Sequence, residues 1–124
     1  MARERVTLAL EVEPRELTLA QRDDFRISLS ATNRGWRTVD PHLHDVALLV
    51  NGEEPIAWIL AIGNGRREAS WHALPPGKTV SMTWPHLGES LLSGPGVFTL
   101  VLEYSGMQYP PIEVRVRDDS ETRP

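Results

Sequence analysis

Between Asp24 and Arg34 the chain runs D-F-R-I-S-L-S-A-T-N-R, apolar and polar in unbroken alternation. Phe25, Ile27, Leu29 and Ala31 fall on one side; Asp24, Arg26, Ser28, Ser30 and Thr32 fall on the other. Successive side chains leave a β-strand on opposite faces, so a period of two predicts a strand with one buried face and one wet face.

The same period returns along most of the chain. It predicts strands at residues 5–13, 24–33, 45–51, 55–62, 78–84, 96–104 and 112–117, with a short extra piece at 17–19. Each is bounded by turn chemistry: Pro14, Asn51-Gly52, Gly63-Asn64-Gly65, Pro75-Pro76-Gly77 and Pro95-Gly96. Asn51-Gly52 is the strongest hairpin signal, because both residues tolerate positive φ. One helical turn is expected at 89–92. No helix-length period of 3.6 competes, and there is no repeat. Seven short strands with these spacings predict an all-β, immunoglobulin-like antiparallel β-sandwich over residues 1–117, followed by a polar tail at 118–124.

At 124 residues and 40% hydrophobic content the chain has enough apolar material for one core without metal or disulfide staples. It contains no cysteine, which removes disulfides, thiolate catalysis and thiolate metal sites. The net charge is −4 and the basic residues form no block, which argues against nucleic acid as a partner. The charged start lacks the apolar run of a secretory signal, and no stretch is long enough to span a membrane. The cytoplasm is the expected compartment.

Catalytic patterns are absent. Asp40, His42 and His44, if extended, would share one face and offer three ligands to a metal, one short of a structural zinc set, so no metal is expected. No Gly-x-Ser-x-Gly elbow occurs, and Gly63-Asn64-Gly65-Arg66-Arg67 lacks the lysine-hydroxyl ending of a phosphate loop. Glu53 and Glu54, adjacent in a turn, point apart. A non-enzymatic chain with no cofactor is the expectation.

Residues 30–35, S-A-T-N-R-G, resemble the end of strand B in bacterial immunoglobulin-like domains. Residues 74–79, L-P-P-G-K-T, and 94–100, G-P-G-V-F-T-L, resemble their E–F region. The named families with which the chain shares this pattern are the bacterial intracellular proteinase inhibitors and the adhesion modules of bacterial surface proteins. The resemblance implies the sandwich, and inhibition of an intracellular protease through end loops; an inhibitor would show one extended, exposed loop, with Tyr109-Pro110-Pro111 or Arg66-Arg67 as candidates.

Two surfaces stand out as contact candidates. In this strand order the connections after the second, fourth and sixth main strands leave at one end. They would gather Trp36, Arg37, His42, His44, Arg66, Arg67, Trp71 and Tyr109, rich in the aromatic and arginine side chains favoured at recognition sites. Trp58 and Trp84 alternate in register with apolar neighbours and are expected in the core. The other candidate is a sheet face. The segments at 45–51 and 55–62 are apolar on both sides, which leaves Ala47, Leu49, Ala57, Ile59 and Val101 on an outer face that should be polar in a lone sandwich. That predicts a protein-binding or self-associating module, with a two-fold homodimer as its commonest form. Alternatively, residues 63–77, led by Trp71, would fold across the patch.

Overall fold

The structure is a computed structural model that describes residues 6–63 and 68–118. Two sheets pack face to face. The first contains β1 (Val6–Glu13), β3 (Arg26–Asn33) and β5 (Thr79–Trp84), antiparallel in the order β1-β3-β5. The second runs β2 (Glu16–Thr18), β8 (Ile112–Arg117), β6 (Gly96–Tyr104) and β4 (Ala47–Val50), with β7 (Met107–Gln108) also paired to β6. This is the immunoglobulin-type arrangement: the first strand lies on one sheet, and just past Pro14 the chain crosses to run parallel to the last strand of the other.

The alternation seen in the sequence becomes burial. Ile27, Leu29 and Ala31 of β3 are buried, in register with Trp84, Met82 and Val80 of β5. Leu48, Leu100, Leu102 and Val114 meet them from the second sheet. On the outer side of the first sheet, three hydroxyl pairs link β3 to β5: Ser28–Thr83 at 2.8 Å, Ser30–Ser81 at 3.0 Å and Thr32–Thr79 at 2.7 Å. That face belongs to water.

One expected strand is a helix. Residues 55–62 do not form a strand; α1 (Ile56–Gly63) occupies the place. The hairpin turn itself forms as expected, with Asn51 and Gly52 at φ 52° and 88° and reciprocal hydrogen bonds between Val50 and Glu53. The ladder then stops, because Pro55 has no N–H to continue it and suits the first turn of a helix. Its carbonyl accepts from Trp58 N–H at 3.1 Å and Ile59 N–H at 3.3 Å. An apolar run of eight residues is compatible with either element on periodicity alone.

The helix closes the side of the sandwich between the two edge strands β4 and β5. Trp58 and Ile62, one turn apart, point into the core. The Trp58 indole donates to the Val46 carbonyl at 3.0 Å and meets the Trp84 ring edge-on at 5.0 Å. Opposite the loop end, the short helix α2 (Gly88–Leu91) lies against the 3-10 turn Leu19–Asp24. A Cβ on Gly88 would sit on the Arg22 carbonyl and within 3.2 Å of Phe25 Cβ. Gly88→Ala should therefore lower stability by about 3 kcal/mol, read as a fall in the urea midpoint with an unchanged m-value.

Candidate functional site

Three connections meet at one end of the sandwich, and a buried asparagine ties two of them. Asn33, the last residue of β3, is fully buried. Its Nδ2 donates to the Arg37 carbonyl at 2.7 Å and to the Leu74 carbonyl at 2.8 Å, and its Oδ1 accepts from Gly35 N–H at 2.8 Å. Val39 and Leu74 then exchange two backbone hydrogen bonds, at 3.1 and 2.7 Å. The segments on either side of position 40 and around position 72 thus form one unit.

That unit draws Trp71 inward. The ring, expected at a contact surface, is 1% exposed and lies with its edge to His44, centroids 6.0 Å apart. It belongs to the core cluster rather than facing a partner. Trp36 behaves in the opposite way, 78% exposed with the Arg37 guanidinium 5.2 Å from its ring centroid. Arg66 and Arg67 lie outside the described residues.

The segment Asp40–His44 is not extended. Asp40 Oδ1 accepts from His42 N–H at 2.9 Å, His42 takes φ 54°, and Leu43–Asp45 forms a 3-10 turn. The three side chains therefore do not share a face. His44 turns toward α1, with Nδ1 3.0 Å from the Ile62 carbonyl, and its ring lies 5.3 Å from that of His72. His42 stays exposed, 3.9 Å from the Asp40 carboxylate. Among the described residues no three of His, Asp and Glu are grouped to hold a metal ion.

The third connection is a tight hairpin. Ser105 and Gly106, at φ 54° and 78°, turn β6 into β7, the geometry that two-residue hairpins favour. Two tyrosines fix the hairpin to the rest of the fold. Tyr104 donates its hydroxyl to the Pro41 carbonyl at 2.7 Å; the Tyr109 hydroxyl accepts from Leu8 N–H at 3.3 Å. Between this hairpin, the start of β1 and the Asp40–Asp45 loop, the sandwich opens into a groove of about 640 Å³. Tyr109 and His42 line it. Tyr104, Asp45 and Met107 line it as well. Tyr104 continues the inward register of β6, so the strand pattern marked it as core and hid its place at the rim.

The sheet-face candidates separate. Ala47, Leu49 and Val101 do lie on the outer face of the second sheet, half-buried, with Leu49 opposite Val101. Ala57 and Ile59 belong to α1 instead: Ala57 packs against the core and Ile59 faces out. Ile56 and Leu60, which strand alternation placed inside, are 72% and 55% exposed, beside Ile59 at 46%. Spacings of three and four residues put all three on one ridge. Helical periodicity applied to residues 56–63 would have found that ridge.

No family model and no curated protein matches the sequence. Among the described residues, no helix is long and apolar enough to cross a membrane.

Proposed function

We propose that this chain is a non-enzymatic protein-binding module that self-associates through the outward ridge of α1. The observation that carries the proposal is the exposure of Ile56, Ile59 and Leu60 on one side of a helix whose other side plugs the core. Three large aliphatic side chains in one exposed row are the kind of patch that marks an interaction surface. A helix ridge is self-complementary about a two-fold axis, so a second copy is the simplest occupant. The patch is smaller than a standard interface, so the association is weak and depends on concentration.

Sedimentation velocity across the micromolar range tests it. The wild-type chain should sediment faster as concentration rises, and Leu60→Glu should remain monomeric throughout with an unchanged fold. A wild-type chain that stays monomeric and matches Leu60→Glu overturns self-association. The protease-inhibitor alternative calls for an extended reactive loop. The described candidate, residues 109–111, starts at a tyrosine held by its hydroxyl and by a 2.8 Å hydrogen bond from its N–H to the Leu102 carbonyl, so no observation favours it.

A further inference from the structure

We propose that the groove at the loop end docks an extended, basic segment of a partner protein, with a lysine or arginine side chain lying in it. The inference rests on different residues from those of the α1 ridge. The groove, at about 640 Å³, has the size of an ordinary ligand site and exceeds what one small ion needs. Tyr104 and Tyr109 form part of its lining, and hydrogen bonds at their hydroxyls hold both rings in place. Met107, 62% exposed, adds an adaptable thioether. The carboxylates of Asp40 and Asp45 complete the wall.

A shallower depression of about 240 Å³ shares Asp45, Tyr104 and Ser105 with the groove and brings in Glu103. The concave surface is therefore longer than one side chain. Among the described residues, no lysine or arginine lines either part. Among the described residues, the Asp45 carboxylate makes no ion pair.

Charge and polarity select the occupant. An anionic segment would meet Asp40, Asp45 and Glu103 with no lysine or arginine among the described lining residues to offset them. A wholly apolar segment would strip water from those carboxylates and return nothing for it. A lysine or arginine satisfies both halves of the surface: its methylene stem packs on phenol and thioether while its head meets a carboxylate. The net charge of −4 favours the encounter with a basic partner at long range.

The test is fluorescence anisotropy with a fluorescein-labelled octapeptide of alternating arginine and alanine, and a glutamate-alanine counterpart as control. The basic peptide should bind, more weakly as salt is raised, and the acidic one should not. Asp45→Asn and Met107→Ser should each weaken binding by about 5-fold, while Asp23→Asn, an equal charge change in the 3-10 turn Leu19–Asp24 at the far end, should leave it unaltered. Absence of binding, or equal loss in Asp45→Asn and Asp23→Asn, overturns the proposal. The Leu60→Glu variant separates the two surfaces. Full peptide binding by that monomer places the peptide away from α1, and loss of binding there overturns the groove assignment.

Discussion

Replacing Trp58 by alanine lowers the unfolding free energy by about 3–5 kcal/mol, read from urea denaturation followed by far-ultraviolet dichroism. The residue is fully buried, so the substitution leaves a cavity the size of an indole at the seam between α1 and both sheets. It also removes the edge-on partner of Trp84 and the donor to the Val46 carbonyl. Trp58→Phe divides the effect: most of the packing is kept and the carbonyl loses its partner, for a cost of about 1–3 kcal/mol. If Trp58→Ala costs less than Trp58→Phe, the ring is not the plug described above. Because α1 carries the exposed ridge on its other side, the alanine variant should also weaken self-association without touching a contact residue.

Asn33→Ala should cost about 3 kcal/mol, far more than the loss of a small polar side chain on a surface. Its amide group makes three hydrogen bonds, and the alanine would leave the Arg37 and Leu74 carbonyls and the Gly35 N–H without them. The effect should be local as well as global. Amide exchange at Gly35, Val39 and Leu74 should accelerate more than exchange in the centre of β6, because the asparagine is what holds two connections together. Uniform acceleration along the chain would mean that Asn33 contributes to overall stability without organising the loop end.

The strands were legible where alternation and turn chemistry agreed. β6 and β8 begin and end at the predicted residues, 96–104 and 112–117, β5 starts one residue later than predicted, and β1 ends at Glu13 as predicted. The segment 55–62 was not legible as written, because it is apolar at every position and alternation carries no information there. The deciding residue is Pro55, whose missing N–H ends the ladder after the turn. At the loop end, composition located the aromatic and charged residues and could not say which were exposed. Trp36 and Trp71 both occur in long connections, yet the Val39–Leu74 bonds pull one of them into the core. Met107 and Gln108 were left outside any strand, although Ser105-Gly106 before them carries the chemistry of a two-residue turn.

The hydroxyl pairs between β3 and β5 bear on how pairing errors are avoided. If β5 shifted two residues along β3, Ser28 would face Ser81 and Ser30 would face Thr79, so the solvent side would hardly notice the mistake. Fidelity must come from the buried side, where bulk is graded along the pair: Trp84 faces Ile27, Met82 faces Leu29 and Val80 faces Ala31. The same slip would set Leu29 against Val80, Ile27 against Met82 and Trp84 against Phe25, and would leave Ala31 opposite Lys78. The polar side makes the sheet soluble at any even offset, and only the taper of its interior selects one.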